Sequence, residues 1–287
     1  MLFSPKHDVL IGIDSDGCVF DSMEVKQVMH FHPLILRHWG LEKVENRVRE
    51  IAEYVNLHSP WRGSNRFIAL LKTFELLEDS PSIRRAEIEF PDLTPLKDWV
   101  ESGDSLSNDS LEAPAAAEPE LKRVLEWSLA VNRDISTRMM PVPPFRGVKE
   151  AFGHMREQAD MVVVSLTPLE ALEHEWSTHG LRGYVDGIAG QEWGTKQEQL
   201  QLAIRQGGYD PDRVLLIGDA PGDWKAAREV GVCFAPTVPG REEACWTRLL
   251  EEDLDLFFAG RYRNEAMNQR VAEFQAALLP KPPPDEG

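Results

Sequence analysis

Four apolar runs rich in β-branched residues punctuate the chain: Asp8–Asp14, Met161–Ser165, Val214–Gly218 and Val232–Ala235. A weaker fifth spans Tyr184–Ala189. Their apolar residues are consecutive instead of alternate, which marks strands buried on both faces. Helical periodicity separates the last four. Such alternation predicts an α/β fold with a doubly wound parallel sheet. Ligands of these sheets bind beyond the carboxyl ends of the strands.

The spacing of the runs is uneven. About 120 residues lie between Ser22 and Pro143, with helical periodicity and almost no strand pattern. Phe67, Leu70, Leu71, Phe74 and Leu77 fall on one helical face, as do Leu121, Val124, Leu125 and Leu129. This predicts a helical domain over residues 22–143, inserted into an α/β domain formed by residues 1–21 and 144–287. Within the insert, Ser102–Pro119 is rich in Ser, Asp, Ala and Pro and reads as a flexible loop. Met140-Pro141-Val142-Pro143-Pro144 reads as a stiff return. Met267, Val271, Phe274 and Leu278 mark a C-terminal amphipathic helix, and the proline-rich tail from Pro280 reads as loose.

Charge narrows the partners. A formal charge of −17 on 287 residues provides no basic excess to draw in nucleic acid or an anionic membrane. An anionic substrate must then be received by a local positive site or a metal. No apolar run approaches the roughly 20 residues of a membrane span. No secretory signal is evident, and the three cysteines, Cys18, Cys233 and Cys245, are odd in number and widely spaced. Reduced thiols and a cytoplasmic location are therefore expected.

The chemistry concentrates at the strand ends. Asp14 and Asp16 close the first run, in Asp14-Ser15-Asp16-Gly17. Two carboxylates in one site can divide the work of nucleophile and proton carrier. An Asp-Gly turn that merely ends the strand explains the same residues. Asp219 ends the run Val214–Gly218, and Asp223 follows one helical turn later. Carboxylate oxygens are the ligands a hard cation such as magnesium prefers. Acids complementing a helix dipole account for Asp223 alone more readily than for Asp219. Ser165 ends another run. After it, Thr167-Pro168-Leu169-Glu170 has the form of a capping box, with Thr167 as N-cap. Ser165 would thus stand beside free helix N–H groups that can hold an anion, or it satisfies local backbone. Lys196 precedes a helix that leads into Val214–Gly218.

Taken together, Asp14-Ser15-Asp16-Gly17-Cys18-Val19, Ser165, Lys196, and Gly218-Asp219 with Asp223 resemble the four ordered motifs of the haloacid dehalogenase superfamily. The helical insert after the first motif resembles that family's cap domain, which selects substrate. The resemblance implies a Rossmann-like core and a phosphohydrolase acting on a small phosphorylated metabolite. Asp14 would be the nucleophile and Asp16 the acid and base. Magnesium would be held by Asp14, Asp16 through its backbone carbonyl, Asp219 and Asp223. Ser165, Leu166 and Lys196 would lie at the phosphoryl group. Cys18, Leu166 and Gln197 depart from the family's usual residues at their positions. Asp16 argues against the dehalogenase branch, which lacks a second aspartate. A phosphomutase or a phosphonate hydrolase of the same superfamily is the enzymatic alternative. A phosphate-binding regulatory protein with little turnover is an alternative of another class.

Arg62 and Arg66 lie between helical stretches of the insert, where their forked donors could meet an anionic substrate group or form surface ion pairs. His30 and His32, two apart, do not share a helical face. Lys26 and Lys43 are the candidates for the cap lysine of the phosphonate-hydrolase branch, without supporting local sequence.

Overall fold

The computed structural model describes residues 3–285. The chain divides into two compact units. One holds the chain through Met23 and Pro141–Leu278, and the other holds Glu24–Met140 with the chain from Leu279 onward.

The first unit is built on a five-stranded sheet: β1 (Leu10–Ile13), β2 (Asp160–Val164), β3 (Gly187–Ala189), β4 (Val214–Gly218) and β5 (Cys233–Pro236). Their spatial order is β3-β2-β1-β4-β5, and all pairings are parallel. In register, Leu10 faces both Asp160 and Val214. Every strand residue is buried, as the unbroken apolar runs require. The strand order reverses at β1. Its carboxyl end, with those of β2 and β4, therefore opens the crevice where such sheets bind ligands. At Gly12, an added Cβ would lie 3.1 Å from Leu200 Cδ2, so the bare backbone lets the helix Lys196–Gly207 approach the central strand.

The second unit is helical. The face Phe67, Leu70, Leu71, Phe74, Leu77 is buried on the helix Arg66–Glu78. The helix Pro119–Arg138 buries Leu121, Val124, Trp127, Ser128 and Val131, whereas Leu129 is exposed. Its core face is rotated toward Trp127, whose ring packs edge-on to Trp39 at 6.1 Å. Among the described residues, no helix of the molecule is long and apolar enough to cross a membrane.

Two expectations fail here. Ser102–Pro119 is not a loop throughout, because Asn108–Ala117 forms a helix. Ser107 and Ser110 cap its start reciprocally, and Leu111 and Ala115, four apart, bury one face. Composition alone hides that two-residue stripe. The tail is not loose either as far as Asp285, while Glu286 and Gly287 lie outside the described residues. Leu279 N–H donates to the His58 carbonyl at 2.7 Å, and the Tyr54 hydroxyl donates to the Leu279 carbonyl at 3.1 Å. Arg47 donates to the Pro283 carbonyl at 3.1 Å, and both Ser82 donors reach Asp285 Oδ2 at 2.8–2.9 Å. Prolines cannot bond through nitrogen, but their carbonyls still accept.

Candidate active site

Beyond β1 the chain turns back on itself. Gly17 takes φ +79°, a left-handed conformation that favours glycine. Its N–H donates to the Phe20 carbonyl at 2.7 Å, and the Val19 and Phe20 N–H groups both donate to the Ser15 carbonyl. Asp14 N–H still donates to Ile217 of β4 at 2.9 Å, so the first carboxylate leaves from the last ladder bond of the central strand.

Asp14, Asp219 and Asp223 converge, each buried, with one carboxylate oxygen apiece lying within 4.8 Å of the others. Lys196 joins them. Its ammonium donates to Asp14 Oδ2 at 2.9 Å and to Asp223 Oδ1. Its aim is set locally: Thr195 and Glu198 form a capping box, and Lys196 is the first residue of the helix they cap. Asp223 is tied a second time, because its Oδ2 accepts the Ala220 N–H at 3.0 Å. Asp223 therefore gives one oxygen to the start of its own helix and the other to Lys196.

Electrostatics follow from burial. Burial holds the Asp14 carboxyl well above the usual carboxylate range; Lys196 opposes this, while Asp223 and Asp219 add to it. For Lys196, burial works against the charge, but Asp14 and Asp223 outweigh it and raise the pKa above its ordinary value. Three buried carboxylates and the Lys196 ammonium meet in this pocket. An all-oxygen donor set of this kind fits a hard divalent cation.

Asp16 faces a different set of partners. Ser22 Oγ donates to its Oδ1, and Thr167 Oγ1 donates to its Oδ2 at 2.8 Å. Thr167 N–H in turn donates to Ser165 Oγ at 3.2 Å. The first and second strand-end motifs are thus linked through Thr167. This corrects the capping expectation. Pro168, not Thr167, is the N-cap of the helix Leu169–Thr178, and Glu192 accepts the Leu169 N–H instead. Thr167 is free for Asp16 because that remote carboxylate serves the helix end.

Ser165 is buried at the end of β2, and Leu166 beside it is half exposed. Gln199 was not singled out in the sequence, yet its buried amide lies 2.9–3.0 Å from the carbonyls of Ser165, Gly190 and Gly194. It ties the end of β2 to the loop before Lys196. Its signal was its place three residues after Lys196, one helical turn along the same face. Cys18 is fully buried; burial, with the nearby Asp14 and Asp219 charges, pushes its thiol pKa up and leaves it inert as a nucleophile.

Arg62 and Arg66 belong to the helical unit. Arg62 is buried and donates to the Leu57 carbonyl at 2.9 Å. Arg66 donates to Ser128 and to Asn132 Oδ1 at 2.7 Å and lies over the Phe31 ring. Burial lowers its pKa to about 10, still high enough to keep it charged. His30 pairs with Asp134 at 2.7 Å, and His32 is buried.

Carboxylates at and just after the ends of β1 and β4 thus meet the lysine that opens the helix Lys196–Gly207, with a serine at the end of β2, on a parallel α/β sheet. A family profile described as haloacid dehalogenase-like hydrolase matches residues 113–236. Two solved structures share the fold. A candidate haloacid dehalogenase-like hydrolase from Bacteroides fragilis has a TM-score of 0.52 at 15% identity, over 83% of this chain and 93% of that one. A candidate phosphoglycolate phosphatase from Lactobacillus delbrueckii subsp. bulgaricus has a TM-score of 0.51 at 16% identity, over 86% and 92%. No curated protein matches the chain significantly in sequence. Over residues 113–236 the chain is similar to haloacid dehalogenase-like hydrolases, and its fold is the one the two solved structures share. The profile match spans Ser165, Lys196, Asp219 and Asp223 but not Asp14 and Asp16, which precede the helical insertion.

Proposed function

We propose that this protein is a magnesium-dependent phosphohydrolase of small phosphorylated metabolites, working in the cytoplasm through an aspartyl-phosphate. The observation that carries the reading is the convergence of Asp14, Asp219 and Asp223, with Lys196 paired to the first and the last.

Asp14 attacks the substrate phosphorus, and the bond from phosphorus to the ester oxygen breaks. Asp16 passes a proton to that oxygen as it leaves as an alcohol. Asp16 then takes a proton from water, whose oxygen attacks the phosphorus, and Asp14 is released with inorganic phosphate. Dividing one difficult displacement into two easier ones is the gain of covalent catalysis. Ser165 donates to a phosphoryl oxygen. Lys196 counters negative charge on Asp14 and on the group in transfer. Magnesium would be held by Asp14, Asp219, Asp223 and the Asp16 carbonyl, and when bound it offsets repulsion between the anionic nucleophile and the phosphoryl oxygens. With Leu166 half exposed beside Ser165, the substrate meets an apolar side chain next to the phosphoryl site. Arg62 and Arg66 contribute positive charge to the helical insert, residues 22–143, which selects the substrate.

Asp14→Asn tests the reading. Hydrolysis of p-nitrophenyl phosphate is expected to vanish while the melting temperature stays near that of the parent. Excess EDTA is expected to stop the parent enzyme, and added magnesium to restore it. Turnover by the asparagine variant would remove Asp14 from the nucleophile role. Activity in chelator would remove the metal.

A further inference from the structure

Two buried tryptophans reach the Asp14–Phe20 loop from separate helices. Trp176, on Leu169–Thr178, donates its indole N–H to Ser15 Oγ at 3.0 Å. Trp246, on Glu242–Arg248, donates to the Cys18 carbonyl at 2.8 Å. All four residues are fully buried. The two bonds flank Asp16, one residue before it and two after.

Packing alone does not account for this arrangement. A buried indole usually finds a partner for its N–H. In the helical unit of this protein, however, the buried Trp99 and Trp127 nitrogens have none among the described residues. Trp39 of that unit does have one, in Glu120, so a partner is not universal, and here two such bonds fall on one short loop. The two indoles are also coupled. Phe152 stacks on Trp176 at 5.7 Å with 16° between the planes, and meets Trp246 edge-on at 5.8 Å. Phe20, the last residue of the loop, packs edge-on to Trp176 at 5.9 Å. Ser15 is the joint: its carbonyl takes two N–H groups of the loop, and its hydroxyl takes the indole.

We infer that Trp176 and Trp246 are positioning residues that hold the Asp14–Phe20 loop so that Asp14 and Asp16 meet the phosphoryl group in fixed register. The inference rests on the proposed phosphohydrolase reading. A loop misplaced by about 1 Å can cost about 100-fold in rate while substrate binding persists. The effect therefore falls on kcat and not on KM.

The test is a double-mutant cycle with p-nitrophenyl phosphate and magnesium. Trp176→Phe keeps most of the ring volume and removes the N–H; Ser15→Ala removes its acceptor. Each is expected to lower kcat by about tenfold or more with KM within about twofold, and the double variant to lose no more than the worse single. Trp246→Phe is expected to show the same split between kcat and KM. Losses that multiply in the double variant, or parental kcat in Trp176→Phe, would overturn the inference. If Trp176→Phe does not fold, Ser15→Ala decides: parental kcat there overturns it. Asp14→Asn run alongside separates the failures. Turnover in that variant removes the nucleophile reading, whereas loss there with parental kcat in Ser15→Ala removes the tryptophan inference alone.

Discussion

At the scale of residues, the site depends on side chains that accept two tasks at once. Asp223 gives one oxygen to Lys196 and the other to the Ala220 N–H. Its closeness to β4 requires that strand to end in glycine. A Cβ at Gly218 would lie 2.5 Å from Asp223 Cγ, well inside any real contact. Gly218→Ala is expected to displace that carboxylate and lower kcat by at least about tenfold, with the fold retained; steady-state kinetics and circular dichroism check this together. His32 makes a different prediction. Burial first, and Arg49 second, lower its pKa to about 4, against an ordinary value near 6.5. The unfolded chain therefore binds a proton that the folded one refuses as pH drops below 6.5. His32 thus takes stability away between about pH 6.5 and 4, by up to about 3 kcal/mol, and nothing more below that. Urea unfolding at pH 7.5 and 4.5 is expected to show a smaller acid loss in His32→Leu than in the parent. An equal loss in both would refute the assignment.

At the scale of elements, the sheet was legible because its strands are buried on both faces. The runs around Leu10–Ile13, Asp160–Val164 and Val214–Gly218 could hardly be anything else, and even the short Gly187–Ala189 left a trace. Asp14 and Asp219 stood out because acids at the ends of buried apolar strands have little reason to be there for packing, whereas Lys196 and Asp223 stood out only by their place among those motifs. Thr167, Ser22 and Gln199 did not. Hydroxyls and amides are at home in any loop, and Thr167 had a satisfactory local explanation as a helix cap. What displaced that explanation was Glu192, more than twenty residues away, which took over the helix end. Sequence reading fails in the same way over Asn108–Ala117. Its composition signals disorder, while two buried apolar residues, Leu111 and Ala115, and a reciprocal serine cap are enough to order a helix that packs beside a longer one.

At the scale of the whole molecule, the chain passes between the two units three times, after Met23, Met140 and Leu278. The last passage delivers the tail to Tyr54, His58, Arg47 and Ser82 of the helical unit. Ending the chain at Leu278 is expected to cost that unit several kcal/mol, at roughly 0.5–1.5 kcal/mol for each of these hydrogen bonds lost. Amide exchange should quicken in Glu45–Glu53 and Pro81–Arg85 while β1 to β5 keep their protection; unchanged exchange in those helices would show the tail to be inert. The route has a practical corollary. A dye on Ser4 belongs to the unit that holds the sheet, and a dye on Pro284 to the helical unit. One label on each unit is thus reached from the two ends of the described chain, with none placed inside either core.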